Sequence, residues 1–213
     1  AGRQCTRSAY DGRAVATDEL KRIEVAAALA GARVLIVTDR QKIEQVLEMV
    51  VAANTTQVED PAFREELKSW LRFGPRKAVA TRDGLYSACS GNPTLPDWVG
   101  RPLFDFVFTA ESENDKYAGQ IRSSAGLAII VSDANDKPHW VEAGRSCQRF
   151  ALAATALGIR HAFINQPLEV PAMRGEFSRW LGDDALSPDL ILRFGYGEEM
   201  PWSLRRPVDE VIV

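Results

Sequence analysis

Four arginines stand where they could hold an anion, Arg3 and Arg7 at the start of the chain and Arg205 and Arg206 near its end. A phosphate monoester is well bound by forked, permanently charged donors, and guanidinium groups offer these in bidentate geometry. Taken alone, arginines near chain ends are ordinarily solvated surface charges. A second polar candidate is the pair Asn165-Gln166, just ahead of Pro167 and Pro171. It reads equally well as a loop facing a ligand and as a polar turn.

Other chemistries find little support. His139 and His161 are the only histidines, and no Cys, His or carboxylate spacing around either matches a metal site; a capped helix start and a strand edge account for them. Cys5, Cys89 and Cys147 lie far apart without a CxxC spacing, which points to free, buried thiols rather than a zinc knuckle or a redox dithiol. Ser123-Ser124 lacks the G-x-S-x-G context of a serine hydrolase. Gly195-Tyr196-Gly197 is not the GxGxxG turn that opens a dinucleotide-binding helix.

The elements that must position these residues can be read from hydrophobic period and caps. With 213 residues, 46% of them hydrophobic, the chain can bury one substantial core. A net charge of −3 without a basic run makes nucleic acid an unexpected partner. No stretch approaches the roughly 20 apolar residues that span a bilayer. Thr17, Asp18 and Glu19 open a helix over 17–30, and Val34-Leu35-Ile36-Val37 reads as a buried strand. Ile43, Val46, Leu47, Val50 and Val51 form one helical face from Asp39 to about Asn54. Asp60-Pro61 caps a third helix.

From 74 to about 117, repeated prolines and glycines break every periodic stretch, yet Tyr86, Trp98, Phe104, Phe106 and Phe108 argue against disorder. The expectation is an ordered, lid-like insertion with a short helix around 98–108. Regular structure resumes with a strand over 127–132. A long central helix over 139–157 follows, with small residues such as Ala143, Gly144 and Ala151 that would admit a neighbouring backbone. A strand over 161–165, a helix opened by Pro171 and a last strand over 190–194 complete the reading.

Several segments resemble the nitroreductase superfamily. The opening Arg3-Gln4-Cys5-Thr6-Arg7 is similar to its R-x-[ST]-x-R motif, and Arg205-Arg206-Pro207-Val208-Asp209-Glu210-Val211 to its basic pair and R-x-P-x-x-E-V tail. Trp140-Val141-Glu142-Ala143-Gly144 and the stretch from Phe163 through Asn165-Gln166 to Pro171 resemble the second half of the Acg-like branch, in which two such halves share one polypeptide.

The resemblance implies one nitroreductase-like domain over 1–213, an α+β three-layer fold with a mixed sheet flanked by helices. It also implies a bound flavin mononucleotide (FMN). Arg3 and Arg205 or Arg206 would take its phosphate, Arg7 the N1/O2 edge of the ring, and Asn165 and Gln166 the loop beside N5. A cation at that edge favours the negative charge of the reduced ring. Cys5 replaces the usual hydroxyl and is a weaker donor. The superfamily's A-P-S-x-x-N-x-Q-P-W type segment has no match here, which implies weak or absent FMN binding by this chain alone.

The functional expectation is an FMN-dependent oxidoreductase passing hydride from NAD(P)H to flavin and on to a small-molecule electron acceptor. Its alternatives are a flavin-sequestering protein with little turnover, or a scaffold half that pairs with itself or with a second nitroreductase-like half. No leader is visible at Ala1, so the chain as given reads as cytoplasmic, or as exported after loss of a twin-arginine leader of the kind such relatives carry.

Overall fold

The structure is a computed structural model that describes residues 2–183 and 185–212. In chain order its elements are α1 (Thr17–Ala27), β1 (Ala32–Val37), α2 (Arg40–Glu59), α3 (Pro61–Trp70), β2 (Leu71–Arg72), α4 (Pro75–Thr81), β3 (Leu85–Tyr86), α5 (Asp97–Val107), α6 (Ala110–Arg122), β4 (Gly126–Ser132), α7 (Lys137–Ala156), β5 (Arg160–Phe163), α8 (Gln166–Glu169), α9 (Pro171–Leu181) and β6 (Ser187–Gly195). Short 3-10 turns occupy Ser87–Ser90 and Val208–Glu210.

Side chains that satisfy the first free amides decide where several helices begin. Asp39 accepts from the Lys42 amide at 2.9 Å, Asp60 from Ala62 at 2.9 Å and Asp136 from His139 at 3.1 Å. α2 runs past the stop expected near Asn54. Thr55 and Thr56 return their hydroxyls to the carbonyls of Val51 and Ala52, and Val58 extends the buried stripe. Asn54 is itself buried and donates to Asn114 of α6 at 2.8 Å, so it joins two helices rather than ending one.

The main sheet has the order β1-β4-β6-β5, and its named strands pair antiparallel throughout. A parallel pairing comes from the N-terminal segment, where Cys5 bridges His161 and the Thr6 amide donates to the His161 carbonyl at 2.9 Å. Alternation along β4 sends Ala128 and Ile130 into a core shared with α1 and α7, while Leu127, Ile129 and Val131 join α2, α6, α8 and α9 on the other face. Helices therefore cover both faces, the α+β three-layer arrangement. On α7, Ala143, Ala151 and Ala154 pack inward as expected, but Gly144 is exposed and touches nothing.

The stretch 74–117 is ordered and α5 supplies the short helix expected around 98–108, but more of it is regular than its broken period suggested. It contains α4, β3, which pairs in parallel with β2 just ahead of it, α5 and the first half of α6. Thr109 caps α6, accepting from Ser112 at 3.2 Å, and Glu111 and Glu113 follow in its first turn. A small third core of Leu71, Phe73 and Phe104, joined by Leu67, Leu85 and Phe108, holds the segment together. Buried Arg72 secures it further, donating to Asp83 at 2.8 Å and to the Ser69 carbonyl at 2.8 Å. Among the described residues no helix is long and apolar enough to cross a membrane.

Candidate functional site

The two chain ends run side by side. Gln4 donates to the Met200 carbonyl at 2.7 Å and accepts from the Met200 amide at 3.2 Å, and the Asp11 amide donates to the Tyr196 carbonyl at 2.9 Å. This pairing delivers Arg7 to the edge of a cavity of about 610 Å³, which lies between the inserted segment and the α2, α6 and α8 side of the molecule. Its volume is within the range of small-molecule sites.

One wall is apolar and comes from the insertion and the residues leading into it, chiefly Leu71, Phe73, Leu95, Phe104 and Val107. The opposite floor is polar, with Arg7, Glu113, Tyr117, Asn165, Gln166 and Glu169. A second hollow of about 440 Å³, between Phe63, Leu67, Trp70 and Leu85, is apolar and open, with Glu66 its one charged residue.

On the floor, the carboxylates and the lysine already have partners. Glu169 accepts from Gln57 at 2.9 Å, and Lys116 reaches Asn92 at 2.9 Å and Glu113 at 3.9 Å. Arg7 has no ion-pair partner among the described residues. Its guanidinium donates to the Ser90 hydroxyl at 3.3 Å, leaving further donors for a ligand. Gln166 is 7% exposed, and its Oε1 lacks a partner, so it can accept from a ligand N–H. Asn165 is partly committed to the fold, since its side-chain oxygen accepts from the Ile191 amide at 2.8 Å. Burial raises the Tyr117 hydroxyl above the usual tyrosine range, reinforced by Glu113 and opposed by Arg7 and the Gln166 side chain. That hydroxyl stays protonated and can donate.

The residues singled out in the sequence thus divide. Arg7, Asn165 and Gln166 meet at the cavity, while Arg3, Cys5, Arg205 and Arg206 do not line it. Arg3 is exposed and close enough to His161 and Cys147 to act on both. Arg205 is exposed and donates to its neighbour's carbonyl at Leu204, and exposed Arg206 adds to the pull that lowers the Asp83 carboxyl, after Thr81 and Arg72. Cys5 pairs with His161 through its main chain, and its thiol is free and half-buried.

His161 is 1% exposed, and neither ring nitrogen has a partner. Burial, with Arg3 adding to it, pushes its pKa down to about 4, so the ring is neutral near pH 7. Tyr117 and Ser90 went unnoticed in the sequence because they lie in the stretch read as irregular. Among the described residues no group of three or more metal-ligating side chains converges.

No family model matches the sequence, and no curated protein does. Solved structures do match its fold. A nitroreductase with bound FMN from Desulfitobacterium hafniense is 15% identical, with 100% of this chain and 94% of that one covered and a TM-score of 0.60. A nitroreductase with bound FMN from Bacteroides fragilis is 18% identical over 97% of this chain and 90% of that one, at a TM-score of 0.56. Iodotyrosine deiodinase bound to FMN and 3-iodo-L-tyrosine is 15% identical over 100% and 94%, at 0.60. The chain has a nitroreductase-like fold over essentially its whole length.

Proposed function

We propose that this chain is an FMN-dependent, nitroreductase-like oxidoreductase whose flavin ring occupies the cavity between the insertion and Arg7. The observation that carries the reading is the convergence on one cavity of a cation without a counter-ion, a buried amide oxygen without a partner and a broad apolar wall. A flat heteroaromatic ring with donor and acceptor edges fits such a lining. The neighbours described above that hold FMN in the same fold add support.

Bound FMN would supply hydride transfer from a nicotinamide donor to a small-molecule acceptor. Arg7 would hold the acceptor edge of the ring and favour negative charge there. Gln166 would accept an N–H, Asn165 would fix the loop carrying Gln166, and Tyr117 would keep a proton at the floor. Phe73, Phe104 and Leu95 would exclude water from the ring face. For the phosphate, Arg3, Arg205 and Arg206 rest on the sequence resemblance, whereas Lys116 is a further cation lining the cavity. The NAD(P)H donor rests on the same resemblance and on the names of some neighbours, such as a putative NADH dehydrogenase/NAD(P)H nitroreductase from Bacteroides thetaiotaomicron.

A second reading, flavin sequestration with little turnover, has its own support in the wall that the insertion lays over the cavity from the same chain. The Acg-like assignment belongs with it, as a half that completes its site with itself or with another half.

Titration of the purified protein with FMN, followed by fluorescence quenching, tests the proposal. Saturable binding, weakened about tenfold or more by Arg7→Ala through loss of a charged donor, is expected. Weakening by Arg206→Ala would assign the phosphate to the chain's end. No binding by the chain alone, but binding after addition of an N-terminal half, would make it half of a flavoprotein. Anaerobic NADH or NADPH that bleaches the bound flavin supports the oxidoreductase, and flavin that stays oxidised supports sequestration.

A further inference from the structure

Arg193 is the largest fully buried side chain among the described residues, with no exposed surface at all. Its neighbours on β6, Leu192 and Phe194, face α1 and α7. Alternation therefore turns Arg193 to the other face, towards α6 and the N-terminal segment. There its Nη2 donates to the Ser8 carbonyl at 2.8 Å and the Thr6 carbonyl at 3.3 Å, and its Nη1 to the Gln120 carbonyl at 3.4 Å. The guanidinium carbon sits 4.1 Å from the centre of the Tyr10 ring, and Nε has no partner.

No carboxylate pairs with Arg193 among the described residues. A guanidinium does not shed its proton in a protein, and burying one among neutral acceptors carries a large desolvation penalty. An apolar residue would suit this strand position better for stability alone.

The acceptors explain the placement. Residues 6–8 form an arch in which three successive carbonyls are held by side chains, Thr6 and Ser8 by Arg193 and Arg7 by Gln120 at 2.6 Å. Beyond the Thr6 amide the arch has no sheet or helix partner, and the Arg7 amide points at the Met200 sulfur at 3.2 Å. The residue at its apex is the cation of the cavity floor.

We infer that Arg193 is a positioning residue for the flavin site: it grips the arch on both sides of Arg7 and adds a second, permanent positive charge behind it. This rests on the reading of the cavity as an FMN site. Its consequence is that a ligand gaining negative charge on reduction is held more tightly in the reduced than in the oxidised state, which raises its reduction potential.

Three variants of the full chain separate the two roles. Arg193→Met removes grip and charge, Arg193→Lys keeps the charge without the fork, and Gln120→Ala loosens the arch while leaving both cations in place. Amide hydrogen exchange over residues 5–10 should be faster in all three, whether or not FMN is present. With FMN, Arg193→Met should bind about tenfold more weakly and its flavin should shift to a more negative potential against a reference dye. Arg193→Lys should hold the potential near that of the wild type.

Unchanged exchange in Arg193→Lys and Gln120→Ala overturns the positioning role, even where Arg193→Met fails to fold. Equal potentials in Arg193→Met and Arg193→Lys overturn the electrostatic one, as does a shift in Arg193→Lys if Met does not fold. A wild-type chain that binds no FMN overturns the flavin reading, while the exchange data still decide whether Arg193 sets the arch.

Discussion

His161 shows how a single buried ring can set the acid limit of the fold. Its pKa is pushed down to about 4 in the folded chain against about 6.5 when unfolded, so between those values the unfolded state binds the proton that the folded state refuses. This stabilising contribution is complete above about pH 6.5 and is lost as pH falls towards 4. Unfolding free energies from urea titrations at pH 7 and pH 5 should differ by about 2 kcal/mol from this group alone, and His161→Phe should remove that part of the dependence. An equal loss in wild type and variant would show that the ring is not held neutral. At this scale Arg7 and Asn165-Gln166 were legible as residues able to serve a ligand. Arg193 was not, because in sequence it is only a charge interrupting an apolar strand, and the carbonyls it serves lie 73 to 187 positions away. His161 read as a strand edge, and nothing in its sequence neighbours revealed that Cys5 would pair beside it and Phe150 would pack edge-on to its ring.

Among the elements, α5 forms the wall most sensitive to small changes. A Cβ at Gly100 would lie 2.5 to 2.7 Å from Phe73 Cγ, Cβ and Cδ1, too close for a backbone-anchored ring to avoid. Gly100→Ala should push α5 off Phe73, cost about 1–3 kcal/mol in urea unfolding as overpacking does, and weaken FMN binding by distorting the apolar wall. Gly144→Ala on α7 provides the contrast, because its added methyl meets nothing. It should stabilise by about 0.5–1 kcal/mol through helix propensity. A destabilised Gly144→Ala, or a neutral Gly100→Ala, would contradict the packing described. The elements with a side-chain cap and a long stripe, such as α2, α3 and α7, could be read from sequence. α6 could not, because its buried apolar residue, Ile121, sits in its last turn and the acidic residues of its first turn resemble a solvated loop. The β2–β3 pair has two residues per strand, too short for any period to show.

Across the whole molecule, two large cores on the faces of one sheet are joined to a third built around only three buried residues. Local opening follows the density of buried apolar contacts, so the insertion should open without the sheet. In native-state hydrogen exchange at low denaturant, amides of β2, α4 and α5 should exchange through such an opening. Those of β4, buried along its entire length, should exchange only with global unfolding. FMN contacts both the floor and the wall in the proposed site, so it binds the closed form and penalises opening by RT ln(1 + [FMN]/Kd), about 2.7 kcal/mol at a hundredfold excess over Kd. The insertion's protection should then rise by that amount while that of β4 changes only as global stability does. Exchange in the insertion unaffected by saturating FMN would mean that the flavin sits elsewhere and that this segment does not act as its lid. Protection equal to that of β4 before FMN is added would mean that the wall is a fixed part of the core, and that ligand entry needs another route than its opening.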